Sequence, residues 1–193
     1  MDEFLYLPLY SRTGKIHMAE QSGLNQWNAC GRPRNFDEVY IPIPSNIHRS
    51  FPHFFPDRNT YFALFLPNKD VIISKVCQDN GKALMSNPNS DLGKWILRDV
   101  LNVKQGKLVT YQMLEEQQID SVVIRNISQN EHENCKIIIE DILQDRNHNI
   151  FKNTPYKRLS NEDISNMLYN IVNKRLYYSI NTADFGAYEA QLY

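Results

Sequence analysis

Residues 61–77, YFALFLPNKDVIISKVC, decide the fold, because they contain two apolar runs separated by a short polar connection. Both runs, 61–66 and 71–77, are rich in β-branched and aromatic residues, which favour strands. Between them, Asn68 and Asp70 are typical turn formers, because their short side chains bond to nearby backbone. The segment predicts a β-hairpin and places an antiparallel sheet in the middle of the chain.

Four further runs have the apolar or alternating pattern of strands: residues 4–10, 39–44, 122–127 and 136–143. Helices are predicted from Ser45 or Asn46 to about residue 51, from Ser90 or Asp91 to about 101, and over 111–117 with Thr110 as cap. Trp95 falls on the apolar face of the second helix, which favours core packing over contact with a partner. We expect a mainly β (α+β) fold, in which the six short strands form a closed or partly closed barrel with its edges covered.

The character of the sequence changes after about residue 153. Residues 154–158, TPYKR, suggest a boundary, and Ser160 with Asp163 then opens a helix as a variant of the capping box. Residues 182–193 look like the start of a further structure. We therefore predict one domain over residues 1–150, followed over 151–193 by a helical linker or the start of a following domain.

The chain of 193 residues has a formal net charge of -1, which excludes a polybasic protein that holds nucleic acid by bulk charge. Two segments, 11–34 and 75–98, are nevertheless net basic, as contact with phosphates requires. The cysteines Cys30, Cys77 and Cys135 lie far apart, so the sequence indicates neither a zinc site nor a disulfide framework and fits a reducing cytoplasm. No secretory leader or membrane span is recognisable.

The polar segment 22–34, SGLNQWNACGRPR, combines amides, an indole and two guanidinium groups. Arginine forks match guanine O6 and N7, and asparagine or glutamine amides match adenine, so this composition favours a reader of base edges. The alternative is an ordinary loop, since Asn, Gly and Pro also populate turns. Trp27 either anchors the loop to the body of the domain or stacks on a partner.

These motifs together carry a family resemblance: LPLYS (7–11), SGLNQWNACGRPR (22–34), VYIPIPSNIHRSFPHFFP (39–56), KVCQDNGKALMSNPNSDLGKWILRDVL (75–101) and LVTYQMLEEQQIDSVVI (108–124). Over about residues 4–128 the chain resembles the B3-like DNA-recognition domain of type II restriction endonucleases of the NgoFVII/NgoAVII type. More distantly it is similar to the recognition domains of EcoRII and BfiI. The resemblance implies a seven-stranded open pseudobarrel, here with a helical C-terminal extension, that clamps the major groove between an N-arm and a C-arm.

Transferred to this sequence, the resemblance gives two sets of candidate DNA contacts. The N-arm set is Arg12, Ser22, Asn25, Gln26, Trp27, Asn28, Arg32 and Arg34. The C-arm set is Lys75, Gln78, Asp79, Asn80, Lys82, Ser86, Asn87 and Asn89. Lys15 and Lys94 are expected to contact phosphates. Asp79 could accept a hydrogen bond from cytosine N4 or form an Asx turn with the residues that follow it.

Catalytic motifs are missing from the sequence. None of the five histidines is followed two residues later by lysine, as a phospholipase-D-like nuclease requires, and no acidic residue has lysine two positions on, as a magnesium nuclease requires. His48 and His53 are better explained by packing than by metal binding. No catalytic residue, metal site or cofactor is therefore expected here, and magnesium would matter only if a linked catalytic domain needed it.

The resulting hypothesis is a sequence-specific double-stranded DNA recognition domain of a prokaryotic, cytoplasmic type II restriction endonuclease, a hydrolase of restriction-modification. It would be covalently linked to a nuclease domain, monomeric as a domain and independent of membranes. The alternative is a regulatory or protein-interaction domain whose arms dock on a neighbouring domain without reading DNA.

Overall fold

The computed structural model describes residues 3–152 and 159–193, which include one mixed sheet of seven strands. The strands are β1 (Phe4–Pro8), β2 (Ile41–Pro42), β3 (Tyr61–Phe65), β4 (Val71–Cys77), β5 (Ala83–Ser86), β6 (Ser121–Asn126) and β7 (Tyr177–Ala183). Their order is β1-β6-β7-β3-β4-β5-β2, with β3 and β7 parallel and the other neighbours antiparallel. The edge strands β1 and β2 contact each other, so the sheet nearly closes into a barrel. The predicted fold class is confirmed.

The β3–β4 hairpin forms where the sequence predicts it. The amide of Leu66 donates to the carbonyl of Asp70 at 2.8 Å, and the side chain of Asn68 accepts from the amide of Asp70 at 3.0 Å. Lys69 takes the left-handed conformation, with φ of 72°, that completes the turn. Local turn chemistry therefore fixes the register of the two central strands.

Two apolar cores lie on opposite faces of the sheet, because successive strand residues point to opposite faces. The barrel interior is filled by side chains such as Leu7, Phe62 and Leu64. The outer face presents Ala63 and Ile73 to a second core, which two helices cover. The sheet is thus buried on both faces in its middle, which explains why β3 and β4 are almost continuously apolar.

The helices are α1 (Ser45–Ser50), α2 (Asp91–Gly93), α3 (Tyr111–Gln117), α4 (His132–Gln144), α5 (Asn161–Lys174) and α6 (Ala187–Gln191). α2 continues directly as a π-helical segment, Lys94–Val100, and Trp95 is buried in the core as predicted. Thr110 caps α3 by accepting from the amide of Met113, and Ser160 and Asp163 form the predicted capping box of α5. None of the described helices is long and apolar enough to span a membrane.

The strand predicted over residues 136–143 is wrong, because this segment belongs to helix α4. The triplet of isoleucines at 137–139 favours a strand locally. In the structure Cys135, Ile139 and Ile142 are buried at helical spacing, whereas Ile137 is 48% exposed. Packing of that stripe on the outer face of the sheet, beside α5, overrides the local preference.

The sheet contains strands from both sides of the boundary predicted near residue 150. β7 lies between β6 and β3, and its Ile180 pairs with Ile124. The predicted boundary segment 154–158 lies outside the described residues, and a nuclease domain linked to this chain stays a prediction. Residues 177–183 pair with β3 and β6 in the same sheet, and the division of the chain into domains stays a prediction.

Helix α6 covers the free edge of β1. The side chain of Gln191 accepts from the backbone amide of Tyr6 at 2.7 Å and donates to the carbonyl of the same residue at 3.0 Å. These two bonds imitate the pairing of a neighbouring strand. The C-terminal segment therefore protects an edge that would otherwise leave backbone groups unpaired.

Candidate nucleic-acid interface

A cleft of about 460 Å³ opens where the two edge strands meet. One wall comes from the end of β1 and the segment after it, including Tyr10 and Arg12, and the other from β2 and the start of α1, including Ser45. Gln78 and Lys82, which flank the turn between β4 and β5, also line the cleft. The structure therefore brings residues of both predicted arms to one concave surface.

Residues 11–17 form a small hairpin, which we call the finger. Its base is closed by two backbone hydrogen bonds between Ser11 and His17, of 2.8 and 3.0 Å. Between them residues 12–16 are all exposed, and Gly14 turns the chain with φ of +77°. Arg12 lines the cleft, and the amine of Lys15 has no hydrogen-bond or ion-pair partner among the described residues. The finger is the projecting part of the segment between β1 and β2.

Asn25 does not face solvent, contrary to the prediction that it reads bases. Its side chain is buried at 1% exposure, and its amide donates to the carbonyls of Ala19 at 3.0 Å and Val109 at 2.9 Å. Its oxygen accepts from the amide of Val109 at 2.8 Å. All of its polar groups are used to fix the loop to the body of the domain, so it is not available for a base contact.

Arg32 and Arg34 converge on one buried carboxylate, that of Glu38, whose side chain is 2% exposed. Arg32 makes a bidentate contact to Glu38. Arg34 approaches it through Nε at 3.6 Å and also donates to the carbonyls of Ala29 and Cys30. Glu38, which follows residues 22–34 in the chain, therefore offsets one of the two positive charges and holds both arginines against the loop.

The remaining residues of the loop divide between anchoring and exposure. Trp27 packs on the ring of Phe36 with centroids 5.4 Å apart and against the main core, as the anchoring alternative predicted. Asn28 is exposed and donates to the carbonyl of Glu20 at 2.9 Å. Gln26 is half-buried, and Ser22 lines the cleft. Of the predicted contacts in residues 22–34, all of which are described, Ser22 is the one that lines the cleft.

The C-arm turn, residues 78–82, is held in a strained but supported conformation. Gln78, Asn80 and Gly81 all have positive φ. Nε2 of the His48 ring forms a hydrogen bond of 2.8 Å with the carbonyl oxygen of Gly81. A Cβ at Gly81 would lie 3.3 Å from the same ring, so glycine allows this close approach. His48 therefore has the structural role that the sequence favoured, as a support of the C-arm turn.

The charged residues of the C-arm differ in whether another side chain pairs with them. Asp79 forms an exposed ion pair with Arg58 at 3.6 Å, and the amine of Lys75 lies over the ring of Tyr61 at 5.3 Å. The amine of Lys82 has no such partner among the described residues and faces the cleft. Lys82 is therefore the C-arm cation best placed to meet an anion.

Four of the predicted contacts lie at the end of β5 opposite to the C-arm turn, or beyond that end. Ser86 is 1% exposed. Its hydroxyl donates a hydrogen bond to the carbonyl of Pro88 and accepts one from the amide of Leu92, so it is structural rather than a DNA contact. Asn87 and Asn89 follow β5 at the end opposite to the C-arm turn. Lys94 lines a separate depression beside the β3–β4 turn and pairs with Asp91 at 3.5 Å. The length of β4, at about 3.3 Å per residue, separates this region from the C-arm turn.

The sequence reasoning missed several residues at the cleft. Asn46 lines the cleft at the start of α1, and Arg49, although not part of the lining, donates to the hydroxyl of Ser45 at 3.4 Å. In the sequence, these two residues are marked only by a cation in a polar helix that lies between proline-rich segments. Tyr188 reaches the cleft from α6, and no local pattern links it to residues near the N-terminus.

One tyrosine of the cleft has a shifted pKa. Burial and a hydrogen bond to Glu189 raise the pKa of the Tyr10 hydroxyl far above its usual value, and this hydroxyl donates to the Glu189 carboxylate. Among the described residues, no group of three or more His, Cys, Asp or Glu side chains is placed to hold a metal ion. The surface offers hydrogen bonds and positive charge for recognition.

Comparison with known proteins agrees with this architecture. No curated protein matches the chain significantly. The family model described as the NgoFVII C-terminal B3-like DNA-binding domain matches residues 5–128, which contain β1 to β6, the finger and both arms. Since the match covers more than half of the chain, this protein belongs to the family of NgoFVII C-terminal B3-like DNA-binding domains.

Proposed function

We propose that this domain recognises a specific sequence in double-stranded DNA. The finger and the C-arm turn would contact the major groove from the two sides of the cleft. The observation that carries the proposal is the convergence of four predicted contacts, two from each arm, on one open concave surface: Arg12, Ser22, Gln78 and Lys82. The family membership supports DNA as the ligand. The domain would supply specificity, and cleavage would belong to a linked nuclease domain of a type II restriction endonuclease.

The charge distribution predicts how this binding depends on salt. Lys15 and Lys82 are unpaired among the described residues. Arg49 is exposed on α1 and donates to Ser45, which lines the cleft, and Arg58 is exposed and pairs with Asp79 of the C-arm turn. Arg32 and Arg34 are occupied by Glu38. If about four cations meet phosphates, the logarithm of the binding constant should fall with the logarithm of salt concentration with a slope of about −4. A modest slope fits a domain that gains most of its discrimination from base contacts.

The experiment is selection of this chain on a randomised duplex pool, with sequencing of the bound fraction and a salt titration of the enriched duplex. Enrichment of one short motif supports sequence recognition. A flat pool with weak, salt-insensitive binding would overturn it and favour the alternative, a protein-interaction domain whose arms dock on a neighbouring domain.

A matched pair of lysine variants locates the surface. Lys82→Ala removes a cation at the cleft and should weaken binding to all duplexes alike, because a phosphate contact carries no sequence information. Lys94→Ala removes an exposed lysine beside the β3–β4 turn and should leave binding unchanged. The opposite result would place the DNA at the other end of β4.

A further inference from the structure

The three candidate arginines of the N-arm differ in what their guanidinium groups contact. Arg32 and Arg34 are committed to Glu38 and to backbone carbonyls. Arg12 pairs with Glu189 through Nε at 2.8 Å, and its two terminal nitrogens have no hydrogen-bond partner among the described residues. Arg12 also lines the cleft, with 43% of its side chain exposed. It is the N-arm arginine whose terminal fork is free.

The base of this fork is held by one partly exposed carboxylate and two buried tyrosines. The Glu189 oxygen that pairs with Arg12 also accepts from the hydroxyl of Tyr10 at 2.8 Å. The ring of Tyr188 lies 5.9 Å from the guanidinium carbon of Arg12, within the range of a cation–π contact. Tyr10 and Tyr188 are 2% and 0% exposed, so the support is anchored in the core. An arginine fixed in this way loses less side-chain freedom on binding than a free one.

The geometry fits one base in particular. The terminal nitrogens of arginine donate two parallel hydrogen bonds, which match O6 and N7 of guanine in the major groove. Contact through Nε and Glu189 leaves those two nitrogens available at the cleft. Resting on the DNA-recognition function proposed above, we propose that Arg12 reads a guanine and that Glu189, with Tyr10 and Tyr188, positions it.

This assignment gives the C-terminal segment a role in specificity. Tyr188 and Glu189 belong to α6, which lies outside the family-matched residues 5–128. The matched part of the chain contains Arg12 and Tyr10 but not the carboxylate that orients them. Base recognition at this position therefore depends on closure of the barrel by the last strand and helix.

The test uses the full chain and the duplex enriched by selection, with each guanine replaced in turn by 7-deazaguanine, which lacks the N7 acceptor. For the wild type, one of these replacements should lower affinity. Arg12→Ala should lower affinity for the unmodified duplex by about 10- to 100-fold and become insensitive to that same replacement. Arg12→Lys keeps the charge without the fork, so it should retain sequence-independent binding and lose the discrimination.

Glu189→Gln separates positioning from repulsion. A positioning carboxylate predicts that this variant loses part of the discrimination at the same guanine, as should Tyr10→Phe. Glu116→Gln is the matched control, because Glu116 is exposed on α3 and its side chain contacts Gln112 rather than Arg12. It should leave the discrimination intact.

Each outcome decides a separate point. A wild-type chain that enriches no sequence overturns the proposed function and this inference with it. A wild type that discriminates, together with an Arg12→Ala variant that discriminates equally, overturns the inference alone. Glu189→Gln with tighter binding to every duplex would show a competing carboxylate rather than a positioning one.

Discussion

Replacing Asn25 with alanine should destabilise the fold rather than alter DNA recognition. The side chain makes three hydrogen bonds of 2.8 to 3.0 Å to the backbone of Ala19 and Val109. At about 1 kcal/mol for each bond, with an added cost for unpaired buried groups at Val109, we expect a loss of about 2–4 kcal/mol. For a domain of this size the loss corresponds to a fall in melting temperature of roughly 5–15 °C.

The assay is urea unfolding followed by fluorescence or circular dichroism, with Asn28→Ala as the matched control. Asn28 makes one exposed hydrogen bond, to the carbonyl of Glu20, so its loss should cost less than about 1 kcal/mol. An Asn25→Ala variant that unfolds at the wild-type urea midpoint but no longer distinguishes duplexes would contradict this structural role. That result would make Asn25 a base contact, as the sequence alone suggested.

Two further predictions concern charged groups. Arg34→Ala should destabilise the protein more than Arg32→Ala, because the Arg34 side chain is only 12% exposed, against 41% for Arg32, and its loss removes the hydrogen bonds to the carbonyls of Ala29 and Cys30; equal urea midpoints would contradict this. Hydrogen bonds from Arg125 and from a neighbouring hydroxyl lower the pKa of Glu131 from 4.5 to about 2, so its contribution is complete above pH 4.5 and is lost as the pH falls towards 2. Glu131→Gln should show a smaller loss of stability than the wild type over that pH range, and parallel acid-unfolding profiles would refute the assignment.

Local sequence rules predicted the elements that local chemistry controls. The β3–β4 turn, the Thr110 cap and the Ser160 capping box all depend on side chains within a few residues of the backbone they bond. The family motifs lie in the same part of the chain and led to the correct fold class. Such features can be read without knowing the partner segments.

Errors arose where the deciding partner is distant in sequence. Residues 136–143 have a strand-like composition, but packing on the outer face of the sheet makes them helical. β7 follows a segment that resembles a linker, and its place between β6 and β3 depends on pairing with both. Strand order depends on contacts across the whole chain, so no local window specifies it.

The candidate site shows the same division most clearly. The sequence alone determined that this chain carries arginines and amides in the N-arm, a polar turn in the C-arm and the motifs of a DNA-recognition family. Only the tertiary structure decided which groups are free, because a cation is paired only where the fold brings a carboxylate near it. Glu38 occupies Arg32 and Arg34, whereas Glu189, 179 residues after Tyr10, meets Arg12 through Nε at the cleft. Composition fixes how many charges a segment has, and the fold fixes which of them remain available to a ligand.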